Sequence, residues 1–140
     1  LENVWGAKRF LIYYLICGLG ASLIYIGWET FSAVSYYNKF GDGWELIREF
    51  PPLSPMVGAS GAVFGLLIGA ALLFPNSIIN IYGVIPLKLK WLAVIYGAAE
   101  LYSGYKASEG DHVAHFAHIG GMIFGFILVQ IYKRDKNKFY

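Results

Sequence analysis

A serine with small neighbours is the first residue whose setting suggests chemistry. Ser60 lies in the stretch Gly58 to Gly65, which reads GASGAVFG, at the start of a long apolar block. A serine hydroxyl is a poor nucleophile unless a nearby base accepts its proton. Small neighbours leave a substrate room to reach the Ser60 oxygen. Taken alone, Ser60 is more simply interpreted as one more small packing residue of a membrane helix.

A base for this serine is offered by another apolar block, which opens with His112, His115 and His118. The spacing of His118, Gly121 and Gly125 puts an imidazole and two glycines on one helix face. An ionisable side chain inside a membrane is costly, so His118 is a candidate general base. His112 and His115 are interpreted as residues near the water boundary.

The same three histidines could instead bind a metal ion, with Glu109 or Asp111 as a further ligand. Steps of three residues spread the side chains over about 120° of a helix, so only two of them converge easily. The prediction is therefore no metal site and no cofactor, with zinc as the alternative.

Glu100 is the one acidic residue well inside an apolar block. Buried carboxylates are often functional in membranes. We expect this one to meet water or to bond Ser103 or Tyr96 on its own helix. Counted from the outer end of that helix, Glu100 is predicted to lie too deep to orient His118.

The elements that must position these residues are set by composition. The chain has 140 residues, of which 57% are hydrophobic and 14% charged, against about 45–50% and 25% in soluble domains. Four apolar blocks, at about 10–28, 57–74, 91–105 and 113–132, approach the roughly 17–25 residues of a membrane crossing. The predicted fold is an all-α polytopic membrane protein with a bundle of four transmembrane helices.

Glycines predict how two of these helices pack. Gly61, Gly65 and Gly69 recur every four residues in the second block and form one stripe, as Gly121 and Gly125 do in the fourth. Such stripes let helix backbones approach closely in membranes.

The distribution of charge predicts the orientation of the bundle. Basic residues favour the cytoplasmic side, and eight of the eleven occur before helix one, between helices two and three, and after helix four. The segments 29–56 and 106–112 are net acidic and are predicted to face outward, with residues 44–50 along the membrane surface. Helices two and four then both start outside, which puts Ser60 and His118 at similar depth. The net charge of +2 argues against nucleic acid as a partner.

At these residues the sequence resembles the rhomboid family of intramembrane serine proteases. GASGAVFG at Gly58 to Gly65 is similar to the family's GxSG motif, and AHIGGMIFG at Ala117 to Gly125 is similar to its AHxxGxxxG motif. LENVWGAKRF at Leu1 to Phe10 resembles the connection into the family's third core helix.

The resemblance implies a Ser60 nucleophile and a His118 base, with no acidic third member. It places the ring of Phe64 against the imidazole, and the backbone N–H of Ser60, within the Gly58 to Gly61 motif, at the oxyanion. It implies cleavage of single-span membrane proteins near their outer ends. The alternative is a non-catalytic rhomboid-like module that binds transmembrane helices.

The resemblance also implies partners for this chain. The family's core begins with two helices that the sequence lacks, one of which helps to hold the oxyanion. We therefore expect the chain to be N-terminally truncated. Loss of one oxyanion donor lowers the catalytic rate by about 10²–10³-fold, so we also expect the chain to be inactive by itself. Its expected setting is the lipid bilayer, with a bacterial inner (cell) membrane favoured and the active site on the extracytoplasmic side.

Overall fold

The computed structural model describes residues 1–40, 59–81, 83–106 and 115–134. Four helices account for most of them: α1 Glu2–Phe40, α2 Ala59–Leu73, α3 Leu89–Lys106 and α4 His115–Arg134. Two short strands, β1 Ile78–Ile81 and β2 Ile85–Lys88, connect α2 to α3. The mainly helical prediction holds, but the prediction of an all-α chain needs this correction.

The two strands form an antiparallel hairpin whose register runs from the pair Ile78 and Lys88 to the pair Ile81 and Ile85. A three-residue loop, 82–84, joins them, and Gly83 has a φ of 74°. Three-residue hairpin loops favour a glycine in this left-handed conformation. Because isoleucine is β-branched, it fits a pleated strand better than a helix.

Neighbouring helices α1 and α2 run in opposite directions. Tyr13 in α1 lies against Gly65 and Gly69 of α2, whereas Ala21, further along α1, lies against Gly61, earlier in α2. Contact points thus move forward along one helix and backward along the other.

Helices α2 and α4 run in the same direction. Gly61, near the start of α2, lies beside Ala117, near the start of α4. At the other ends, the ammonium of Lys133 donates a hydrogen bond of 3.1 Å to the carbonyl oxygen of Leu72. Helix α3 is antiparallel to α4, because Gly104 lies against His115. The four helices therefore alternate in direction along the chain.

The helices differ in length from the apolar blocks. Helix α1 has 39 residues and changes direction at Gly6, where φ is 77°, while the predicted block spans 10–28. It continues past this block because helix formation does not require apolar side chains. Among the described residues, Glu2–Ser32 and His115–Arg134 are long and apolar enough to cross a membrane, and Ala59–Leu73 is apolar but shorter. Length and composition thus support two of the four predicted crossings.

The closest helix contact is between α2 and α4, along a line of four glycines that we call the glycine seam: Gly61, Gly65, Gly121 and Gly125. A Cβ atom on Gly65 would lie 3.0 Å from the carbonyl oxygen of Gly121, and one on Gly125 would lie 2.7 Å from that of Gly65. A Cβ atom on Gly121 would overlap the carbonyl oxygen of Gly61. Only glycine permits this backbone-to-backbone contact.

Helix α1 packs across the seam through Tyr13, whose side chain is fully buried. Its hydroxyl donates a hydrogen bond of 2.7 Å to the carbonyl oxygen of Gly65. A Cβ atom on Gly69 or Gly125 would come within 2.6 or 2.7 Å of the same hydroxyl oxygen. Tyr13 therefore occupies a space that two glycines, Gly69 and Gly125, leave open, and it ties three helices together.

The glycine seam predicts a stability difference between two glycine-to-alanine exchanges. Gly121→Ala should destabilise the folded protein by about 1–3 kcal/mol, because the added methyl group must push α2 and α4 apart. Gly27→Ala in α1 is the matched control, since nothing lies within 4 Å of a Cβ atom there. The free energy of unfolding in detergent micelles is measured for both variants. Equal values would contradict a close backbone contact at the glycine seam.

The Tyr13 hydrogen bond predicts a smaller effect. Tyr13→Phe should cost about 0.6–1.7 kcal/mol, the range measured for hydrogen bonds between membrane helices. Tyr14→Phe is the control, because the hydroxyl of Tyr14 has no hydrogen bond in the part of the chain that the structure describes. The free energy of unfolding is measured in the same way. A Tyr13→Phe variant as stable as Tyr14→Phe would show that the hydrogen bond contributes nothing to stability.

Candidate active site

Ser60 is the second residue of α2, at the end of the helix where the glycine seam begins. The next residue, Gly61, contacts Ala21 of α1, and a Cβ atom on it would lie 3.1 Å from the carbonyl oxygen of Ala117 of α4. Ser60 itself is partly exposed. The serine thus stands where the start of α2 meets two other helices, with its side chain accessible.

His118 is the fourth residue of α4 and directly follows Ala117. Because Ala117 touches Gly61, each of the two candidate residues is next in sequence to one member of the same contact. The parallel directions of α2 and α4 then keep Ser60 and His118 at one level. The sequence expectation of similar depth agrees with this arrangement.

The ring of Phe64 lies flat against the imidazole of His118, with centroids 4.2 Å apart and planes 16° from parallel. Phe64 is one helical turn after Ser60, so both side chains belong to the same region of α2. On another side, Phe64 meets the ring of Tyr96 from α3 edge-on at 6.1 Å. Phe64 therefore links the imidazole to both α2 and α3.

The carboxylate of Glu100 contacts two histidines, which the sequence did not lead us to expect. Its Oε2 lies 2.6 Å from Nδ1 of His115 and 3.0 Å from Nδ1 of His118. The predictions that Glu100 bonds its own helix and lies too deep to reach His118 were wrong. The physical reason is that His118 is itself one turn inside α4, so both residues lie a short distance below the same end of the bundle.

His115 is buried, with 9% of its surface exposed. The interpretation of this residue as lying near the water boundary stays a prediction, because its burial is against other parts of the bundle. It opens α4 and packs against Gly104 near the end of α3. The side chains of His115, His118 and Glu100 keep only 10–13% of their surface exposed, so they form one largely buried polar cluster.

The ligand atoms of this cluster all lie within 4.8 Å of one another. The composition, two imidazoles and a carboxylate, is one that zinc accepts. The other residues considered for a metal site, His112, Glu109 and Asp111, lie outside the described residues, as do Gly58 and the segment 44–50.

Large apolar side chains face outward over much of the bundle. One stripe on α1 is at least half exposed and consists of Leu11, Leu15, Leu19 and Leu23. Soluble proteins rarely expose contiguous apolar surface of this kind, whereas a lipid environment accommodates it.

Comparison with known proteins gives one match. A family model described as Rhomboid domain matches residues 1–135. No curated protein matches, and no solved structure does. The matched range includes every helix described above and both candidate residues. The chain therefore belongs to the rhomboid family, and it is a membrane protein.

Proposed function

We propose that this chain carries the catalytic residues of an intramembrane serine endopeptidase that uses a Ser60–His118 dyad. The observation that carries the proposal is the Gly61–Ala117 contact, which sets the starts of α2 and α4 side by side. The stacking of Phe64 on the imidazole adds a reason for His118 to hold one orientation.

In the proposed reaction, Oγ of Ser60 attacks the carbonyl carbon of a peptide bond while Nε2 of His118 accepts the hydroxyl proton. The tetrahedral intermediate collapses to an acyl-enzyme, and the imidazolium returns the proton to the leaving amine. Water then hydrolyses the ester, with His118 again acting as base. The N–H of Ser60 belongs to the first turn of α2, where N–H groups point beyond the helix start, toward a bound oxyanion.

The proposed setting is a multi-pass arrangement in which all four helices cross the bilayer, with Lys133 and the hairpin on the cytoplasmic side. It rests on the alternating directions of the helices and on the basic residues at their ends. The active site then opens toward the extracytoplasmic side, and a bacterial inner membrane suits it. The substrates are single-span membrane proteins cut near their outer ends.

One observation favours a second candidate function, a module that binds transmembrane helices without cutting them. An apolar groove of about 500 Å³ runs between α2, α3 and α4, and Ala71, Ala93, Gly97 and Met122 are among its lining residues. Small residues of this kind let a foreign helix approach closely. The groove is lined by residues from the second half of α2, away from Ser60, so it supports helix binding without supporting cleavage. Reaction at Ser60 separates the two functions.

Cleavage of a fluorogenic single-span substrate by the full-length protein in liposomes tests the proposal. Ser60→Ala and His118→Asn should each lower the rate by at least about 10³-fold, since nucleophile and base act as a unit. Ser22→Ala is the matched control, because the hydroxyl of Ser22 donates a hydrogen bond to the carbonyl oxygen of Gly18 in its own helix and its loss should leave the rate unchanged.

A fluorophosphonate probe gives a second readout, because it should label wild type at Ser60 and leave Ser60→Ala unlabelled. If wild type binds the substrate helix but neither cuts it nor reacts with the probe, the protein is the non-catalytic module instead. Equal cleavage by wild type, Ser60→Ala and His118→Asn would also show that the protein does not use a Ser60–His118 dyad.

A further inference from the structure

The Ser–His dyad leaves one part of the site without a role, namely a carboxylate shared by two imidazoles. Oε2 of Glu100 lies within hydrogen-bond distance of Nδ1 in both His115 and His118. Placing an ionisable acid inside a membrane domain is costly unless its charge is balanced. A carboxylate kept in this position, beside the proposed base, therefore requires an explanation.

The shorter of these two distances favours hydrogen bonds over a shared metal ion. Zinc binds nitrogen and oxygen at about 2.0–2.1 Å, which puts two ligands of a tetrahedral site about 3.3 Å apart. The separation between Glu100 and His115 is 2.6 Å, shorter than this and close to the 2.7–2.9 Å of a charge-assisted N–H···O bond. The cluster is therefore interpreted as a hydrogen-bonded group of Glu100 with the two imidazoles.

The second nitrogen beside the Glu100 carboxylate is Nδ1 of His118. It is buried and makes no aligned hydrogen bond within the described residues, yet Oε2 of Glu100 is 3.0 Å away. Catalytic hydrogen bonds are often poorly aligned in the absence of substrate and tighten when it binds. The two atoms are already within hydrogen-bond distance, so only the angle of the bond has to improve.

We propose that Glu100 is a positioning residue for His118, an inference that rests on the proposed protease function. The carboxylate accepts a hydrogen bond from Nδ1–H of His118 and so fixes the tautomer whose Nε2 carries the lone pair. When Nε2 takes the proton of Ser60, the imidazolium that forms faces a negative charge, while Glu100 stays deprotonated. His115 holds the same carboxylate oxygen from the other side.

Two measurements on the full-length protein test this role. With ¹⁵N-labelled histidine, wild-type His118 should show the tautomer protonated at Nδ1, its signal being assigned with His118→Asn. In Glu100→Gln, kcat for the single-span substrate should fall about 10- to 100-fold, part of the 10²–10⁴-fold that a general base supplies. KM should hardly change, because Glu100 does not touch the substrate. Glu2→Gln makes the same exchange at the opposite end of the bundle, where Leu1 lies against Gly69 of α2, and should leave kcat unchanged.

Each outcome decides the proposal. A wild-type His118 protonated at Nε2 overturns it, as does a folded Glu100→Gln enzyme with unchanged kcat. One equivalent of zinc bound to wild type and lost in Glu100→Gln would show that the cluster is a metal site instead. If wild type cleaves nothing and leaves the fluorophosphonate unreacted, the proposed protease function is wrong. The tautomer of His118 then shows only whether its Nδ1–H bonds to Glu100.

Discussion

The contact between the backbones of α2 and α4 is the constraint on which the other features depend. At the glycine seam, carbonyl oxygens of one helix occupy the positions where side chains of the other would begin. This contact fixes both the separation of the two helices and their relative shift along the axis. Because Ser60 and His118 are each next in sequence to a residue of this contact region, their relative height follows from the seam. The pocket that receives the hydroxyl of Tyr13 follows from the same missing side chains.

Helix α3 is held to this pair by a different kind of interaction. Its contacts near the candidate site are the edge of the Tyr96 ring against Phe64 and the carboxylate of Glu100 against two imidazoles. These are side-chain contacts, whereas α2 and α4 meet backbone to backbone. The arrangement combines a closely packed pair of helices, which carry Ser60 and His118, with a third helix that contributes polar and aromatic contacts through longer side chains.

The sequence was sufficient to predict the residue types and spacings that make helix faces, and less so to predict contacts between helices. The four-residue repeat of Gly61, Gly65 and Gly69 is a property of one helix, and the structure places these residues on the face that meets α1 and α4. The contact of Glu100 with His118 depends on where two helices end. Glu100 is about 9 Å below the last residue of α3, and His118 is about 4.5 Å below the first residue of α4, at 1.5 Å per residue. That difference is within reach of a glutamate side chain, whose length the comparison of depths left out.

The hairpin was missed for a related reason. The segment between α2 and α3 was interpreted by its charge alone, as a connection with Lys88 and Lys90. The isoleucines at 78, 79, 81 and 85, together with Gly83 between them, are the local signal for two short strands.

The parallel directions of α2 and α4 have an electrostatic consequence. Each α-helix carries the equivalent of about half a positive charge at its N-terminus. Antiparallel neighbours place opposite ends side by side and largely cancel this field, whereas these two helices bring both positive ends to the level of Ser60 and His115. Any negative charge that forms beside Ser60 therefore forms where two macrodipoles add. The end of α3 also lies at this level, against His115, and offsets part of the field, so the favourable space for an anion is the one between the starts of α2 and α4.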